Sequence, residues 1–187
     1  MSPAPQSARI LIGVGAGIAA YKVAFVVSRL VQRGHPVRVA LSTWAHEFVG
    51  ARTFEGLCGA TAIRTPTQID PDGSAPHIVA TRSAALFVVA PATADLIARL
   101  ATGAADDAVC LAALACTAPR LLCPAMNDAM WQSAAVQDNV ARLIARGWRV
   151  LGPVVGHLAE GYDAIGRMVE PEAILAEIDR LLAAGRP

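Results

Sequence analysis

Five short apolar runs recur along the chain, separated by stretches of helical character. They read RILIGV (9–14), PVRVALS (36–42), ALFVVA (85–90), RLLCPA (120–125) and WRVLGP (148–153). Such near-continuous apolar runs are the pattern of strands buried on both faces. Helical stretches fall at 18–34, 93–103, 133–147 and 170–185, and shorter pieces at AHEFVG (45–50) and TFEGLCG (53–59). The alternation predicts an α/β fold: a doubly wound parallel sheet covered by helices on both sides, in a single domain over 1–187. MSPAPQSA (1–8) reads as a loose tail, TPTQIDPDGSAPH (65–77) as a loop, and Gly34 and Gly185 as helix stops. The helix at 18–34 carries Val23, Phe25, Val26, Val27, Leu30 and Val31, so it is apolar on more than one side. The helix at 133–147 places Val136, Val140, Leu143 and Ile144 on one face. Ligands of such sheets bind outside the carboxyl ends of the strands. The loops 13–18, 42–48, 90–95, 124–131 and 153–168 are therefore where function is expected.

Composition removes several classes. With a formal net charge of +1 and no basic block, nucleic acid is not an expected partner. No segment has the roughly 20 uninterrupted apolar residues of a membrane span. The apolar start ARILIGVGAGIAAY reads as strand, turn and helix rather than a secretion signal. Cys58, Cys110, Cys116 and Cys123 form no CxxC pair; they read as reduced, buried thiols of a cytoplasmic protein, and no metal site is expected. Hydrophobic residues make up 55% of the chain and charged residues 17%, against about 25% charged in a typical domain. Either large subunit contacts or an alanine-rich style accounts for this.

The loop after the first strand, GVGAGIAA, offers backbone N–H groups and a helix start to a phosphate. A nicotinamide site would want an acid at the tip of the second strand, but VALSTWAHEF has the hydroxyls of Ser42 and Thr43 there. A mononucleotide such as FMN suits the loop better. A tight turn with no ligand remains the plain alternative.

Two further residues stand out. Asn127 sits between Met126 and Met130 in PAMNDAMW (124–131), where it serves equally as a turn former, with the methionines as core filling. His77 ends the acidic loop and, taken alone, reads as a solvated histidine.

Several segments together resemble one family. GAGIAAYK (15–22), HI (77–78), VVAPATADLIARLATGAADD (88–107), PAMNDAMW (124–131) and GRMVEP (166–171) occur in the order and spacing of the homo-oligomeric flavin-containing cysteine decarboxylases. That family includes phosphopantothenoylcysteine decarboxylases and the peptidyl-cysteine decarboxylases of ribosomal peptide biosynthesis. The resemblance implies a flavodoxin-like fold with FMN at a subunit boundary of a homotrimer or an assembly of trimers. It implies FMN contacts from Gly15, Ala16, Gly17, Ser42, Thr43, Phe48, Thr53, Pro91, Ala92, Thr93 and Asp106. It implies that His77 is the catalytic base or proton shuttle and that Asn127 holds the substrate's cysteine carboxylate. Met126, Met130, Glu160, Arg167 and Met168 are implied around the substrate.

An amide suits that task. It orients a carboxylate without the full positive charge that would stabilise the ground state against loss of CO2. Where pantothenate-branch members carry a proton-donating cysteine, this chain has Glu160 in AEGYDAIGRM (159–168), with Tyr162 in place of an acid and Ala164 in place of a glycine. The substitution, and the end of the chain at 187 without a ligase domain, lead us to expect a reaction that stops at an enethiol on a peptide's C-terminal cysteine. Phosphopantothenoylcysteine is the alternative substrate. A flavin-binding regulatory subunit is the third reading, disfavoured by the intact His77 and Asn127.

Overall fold

The computed structural model describes residues 9–184; the tail at 1–8 and the helix stop at Gly185 lie outside them. Five strands form one sheet: β1 (Arg9–Val14), β2 (Val37–Leu41), β3 (Ala84–Ala92), β4 (Arg120–Pro124) and β5 (Trp148–Val150). Their order is β2-β1-β3-β4-β5, and every neighbouring pair is parallel. This is the flavodoxin-like order, whose direction of winding reverses between β1 and β3 and leaves a crevice above their carboxyl ends.

Side chains along each strand alternate between two cores. Ile10, Ile12 and Val14 of β1 face a cluster with Val23, Val26 and Leu30 of α1 (Ala20–Gln32) and Ile174 and Ile178 of α8 (Pro171–Ala184). Leu11, Phe87 and Val89 face the opposite cluster. That second layer holds α3 (Pro76–Arg82), α4 (Ala94–Thr102), α5 (Ala108–Ala115) and α7 (Ala134–Ala145). Both faces of the central strands are thus buried, as their unbroken apolar runs require. The remaining helices are short: a 3-10 turn at Ala45–Glu47, α2 (Ala51–Cys58) and α6 (Asp128–Gln132).

The structure differs from the sequence reading in several places. His77 does not end a loop; it is the second residue of α3, behind Pro76, which opens the helix. α5 is a helix that periodicity missed, because AVCLAALA is apolar all round and presents no stripe. Asp107 starts it, its Oδ1 accepting from the Cys110 N–H at 2.8 Å while almost fully buried. The segment 153–168 is not a loop but an antiparallel hairpin, β6 (Val154–His157) with β7 (Asp163–Arg167). β3 runs two residues past the expected strand, so Pro91 and Ala92 are buried strand residues. Ile144 and Phe25 lie exposed, whereas Val136, Val140 and Leu143 are buried.

Candidate functional site

At the crevice between β1 and β3, the β1–α1 turn comes into direct contact with the end of β3. A Cβ on Gly15 would lie 2.1 Å from the carbonyl oxygen of Pro91, so only glycine lets the β1–α1 turn rest against the end of β3. Thr93 follows and caps α4, its side chain accepting from the Leu96 N–H. α1, in contrast, starts with no side-chain cap. Backbone carbonyls take part of its first turn, the Ala20 N–H donating to Gly17 at 2.9 Å and the Lys22 N–H to Ala19 at 3.0 Å, so a phosphate would meet the remaining N–H groups of the turn and helix start. The tip of β2 brings Ser42, buried, and Thr43, exposed, to the same end of the sheet; the Ser42 N–H donates to the Val14 carbonyl at 2.9 Å.

Ser42 and Thr43 also line a cleft of about 1050 Å³ that runs past His46 to Arg64 and Asp106. Asp106 is held by Arg99, whose Nη1 donates to it at 2.7 Å. Phe48, at the end of the 3-10 turn, and Thr53, in α2, are both exposed. The uncapped α1 start, the glycine turn and the hydroxyls fit a mononucleotide with a terminal phosphate. Among the described residues no group of His, Cys, Asp or Glu could hold a metal ion.

Asn127 is built by what surrounds it. β4 ends at Pro124, and the next residues are tied down on both sides. The Ala125 N–H donates to the Ala92 carbonyl, and the Met126 N–H to the Gly166 carbonyl, each at 3.0 Å. Gly166 has φ 140°, and a Cβ there would lie 2.2 Å from the Met126 carbonyl oxygen. The glycine of GRM therefore exists so that β7 can dock on the PAMN loop. Asn127 then caps α6, its Oδ1 accepting from the Ala129 N–H at 2.9 Å. The cap fixes the orientation of the amide, because the oxygen is committed to a donor. Nδ2 is left to donate to Glu160 Oε1 at 2.9 Å and to the Tyr162 hydroxyl at 3.0 Å.

Tyr162 donates in turn to Asp128 Oδ1 at 2.7 Å. The Asp128 carboxylate that accepts this proton holds the phenol above its ordinary value, so it stays neutral and donating at working pH. Sequence reading passes over Asp128 and marks Tyr162 only as a departure from the family pattern. The acid directly after a capping asparagine was a visible signal for the first; nothing local links Tyr162 to residues 34 positions away.

The other expected substrate residues are spread out. Met126 is half-buried and Met130 exposed near Asn127. Arg167 Nη2 donates to Glu170 Oε1 at 2.6 Å, and Glu170 is also held by Lys22 at 2.9 Å. Met168, expected at the substrate, is instead 1% exposed and packs into the α1–α8 core, where it anchors the base of β7. His77 lies elsewhere, on α3, which packs against α5. Its Nδ1 is buried and has no hydrogen-bond partner, and none of the described hydrogen bonds joins it to Asn127. Such an unpaired ring nitrogen can take its partner from water or a ligand; among the described residues Arg38 Nε is unpaired in the same way.

No thiol stands in the hairpin beside Asn127. The cysteines are free, and burial pushes the thiols of Cys110 and Cys123 far up, leaving them inert as acids or nucleophiles.

The chain resembles known flavoproteins in sequence and in fold. A sequence profile of the family described as Flavoprotein matches residues 3–183. The coenzyme A biosynthesis bifunctional protein CoaBC of Vibrio cholerae is 40% identical over 177 residues, covering 94% of this chain and 44% of that protein. The chain thus spans less than half the length of the curated relatives it matches. Among solved structures, the FMN-dependent cysteine decarboxylase SpaF superposes with a TM-score of 0.82 at 27% identity, over 96% of this chain and 98% of SpaF. A PPC decarboxylase variant complexed with pantothenoylaminoethenethiol shares the fold, with a TM-score of 0.85 at 22% identity, over 95% of this chain and 99% of that one.

Proposed function

This chain belongs to the Flavoprotein family, and we propose that it is an FMN-dependent enzyme that oxidatively decarboxylates an N-acylated cysteine with a free carboxylate. The observation that carries the reading is the amide of Asn127, fixed by its helix cap and directed at a carboxylate oxygen 2.9 Å away.

Gly15, Ala16 and Gly17 with the uncapped α1 start, the hydroxyls of Ser42 and Thr43, and the Pro91–Ala92–Thr93 corner hold the cofactor. Phe48, Thr53 and Asp106 border it. FMN, when bound, supplies two-electron oxidation of the carbon that bears the thiol. The oxidised cysteine is a β-thiocarbonyl acid, so its thiocarbonyl accepts the electron pair left by CO2 and the product is an enethiol. Asn127 orients the carboxylate by hydrogen bonding and lets it go, since no full positive charge holds the anion. The thioethers of Met126 and Met130 keep its surroundings apolar, which disfavours the anion relative to CO2. His77, with its orphaned Nδ1, takes and returns the substrate proton. His77 and Asn127 are joined by no hydrogen bond within one chain. In this reading the site is completed at a boundary between copies in a homotrimer or an assembly of trimers, which the exposed Ile18, Tyr21 and Trp44 support, in the reducing cytoplasm that free thiols suit.

The acyl group is a peptide, so that the substrate is a C-terminal cysteine and the reaction ends at the enethiol. Glu160 stands at the position of the proton-donating cysteine, and the four thiols of this chain lie elsewhere. A second reading, phosphopantothenoylcysteine, is favoured by the 40% identity to CoaBC. Anaerobic mixing of the FMN-loaded protein with each substrate separates the two. Lasting loss of oxidised-flavin absorbance, one flavin per cysteine consumed, supports oxidation that stops at the enethiol. Absorbance that returns without air means the enethiol is reduced and supports the pantothenate reading. Absence of any absorbance change and of CO2 with both refutes the function.

A further inference from the structure

We propose that Glu160 is a specificity-determining residue: in the free enzyme its carboxylate holds the Asn127 donor that a substrate carboxylate must take, so binding exchanges one carboxylate for another. The inference rests on the reading of Asn127 as the carboxylate-holding group.

A side-chain amide has two N–H donors and a carbonyl oxygen. In this structure all are committed. Oδ1 accepts from Ala129, one donor goes to the Tyr162 hydroxyl and the other to Glu160 Oε1. No donor is left for a ligand, so one partner has to leave. Tyr162 is anchored a second time through Asp128. Glu160 is exposed, and its only side-chain hydrogen bond among the described residues is the one to Asn127. It is the partner that can be exchanged.

The turn that carries Glu160 keeps it close. The Leu158 N–H donates to the Tyr162 carbonyl at 2.9 Å, the Gly161 N–H to the Leu158 carbonyl at 3.1 Å, and Leu158 is buried at the base. Return of the side chain is intramolecular and so has a high effective concentration. Two consequences follow from the chemistry. A ligand without a carboxylate, such as one ending in an amide, gains nothing at Asn127 that repays displacing Glu160. Once CO2 has left, the product also lacks the group, and Glu160 recloses on Asn127 and favours release.

The test is calorimetric titration of the flavin-loaded full chain with paired probes that carry serine for cysteine and so lack the thiol. A short acetylated peptide ending in serine and phosphopantothenoylserine are each compared with their carboxamide counterparts. A competitor that occupies the site about nine-tenths of the time weakens apparent binding roughly tenfold. Glu160→Ala should therefore bind the carboxylate probe roughly tenfold tighter than the wild type, with unchanged affinity for the amide. Glu160→Gln, which keeps the size and loses the charge, should fall between them. Equal or weaker binding of the carboxylate by Glu160→Ala overturns the proposal, and so does equal tightening for the amide, which marks mere steric opening.

The underlying reading fails separately. If Asn127→Ala leaves carboxylate binding unchanged in both the wild type and the Glu160→Ala background, Asn127 is not the carboxylate group. If Asn127→Ala weakens binding while Glu160→Ala has no effect, only Glu160 is dismissed. Absence of binding by any probe to any of these proteins overturns the substrate class and this proposal with it.

Discussion

A methyl group decides the fate of Gly166. Its Cβ would meet the Met126 carbonyl at 2.2 Å, at a φ of 140° that side chains rarely adopt. Gly166→Ala should destabilise the protein by about 2–3 kcal/mol and free the hairpin from the PAMN loop. Urea unfolding and hydrogen exchange of 154–167 read both effects, and an unchanged midpoint would contradict the docking. Asn127→Asp is the sharper probe of chemistry. Aspartate caps a helix as well as asparagine does, so α6 survives while the donor becomes a like charge against the substrate's carboxylate. kcat/KM should fall by an amount equivalent to roughly 2–5 kcal/mol, and unchanged turnover would remove the carboxylate role. His77→Asn should retain FMN, read by absorbance, and lose turnover. At this scale the sequence revealed the residue types and not their partners. PAMN pointed to Asn127, but the Glu160, Tyr162 and Asp128 contacts join positions 33, 35 and 34 apart. No local pattern encodes them.

Among the elements, those with a clear period or a clear punctuation mark were legible. β1 was read to the residue, β2, β3 and β4 to within two positions, and β5 was read three residues too long. α5 was not read, because a helix apolar all round has no amphipathic stripe. Its cap carries a testable weight: Asp107→Ala removes the Oδ1 acceptor of the Cys110 N–H, at a cost of about 1–2 kcal/mol, measured by thermal unfolding. The β6–β7 hairpin escaped notice because its strands are short, with β6 mostly exposed and β7 mostly half-buried, so no apolar alternation marks them. The junction from β7 into α8 adds a pH dependence. The hydrogen bond from Lys22, then that from Arg167, hold Glu170 below its ordinary carboxylate value. Arg180, then Arg149, do the same for Glu177. A depressed folded value means that the stabilisation is fully present above the unfolded value of about 4.5 and lost as pH falls through the folded one. Tm should therefore be flat between about pH 5 and 7 with respect to these groups and fall in acid. Lys22→Met should lower Tm at neutral pH and make the acid loss shallower. Glu170 is half exposed, so solvent screening keeps the effect modest. An acid slope identical to the wild type's would show that Lys22 does not govern Glu170.

For the whole molecule, the high hydrophobic and low charged content finds a physical expression at the surface. Ile18 and Tyr21 are 67% and 63% exposed and share one face of the α1 entry with Phe25, and Trp44 stands 65% exposed beyond β2. Apolar side chains grouped at the ligand end of the sheet are what a boundary between copies needs. Tyr21→Glu should reduce the mass in solution from a multiple of three chains toward one, by light scattering. A wild type that is already a monomer would leave His77 and Asn127 in separate places and contradict the shared site. The central claim concerns the reaction, and mass spectrometry tests it most directly. The flavin-loaded protein is incubated in air with a short peptide ending in cysteine and, in parallel, with phosphopantothenoylcysteine. The reading developed from Asn127 and Glu160 predicts that the peptide loses CO2 and two hydrogens together. Loss of CO2 alone, or a peptide of unchanged mass beside a decarboxylated pantothenate product, would contradict it.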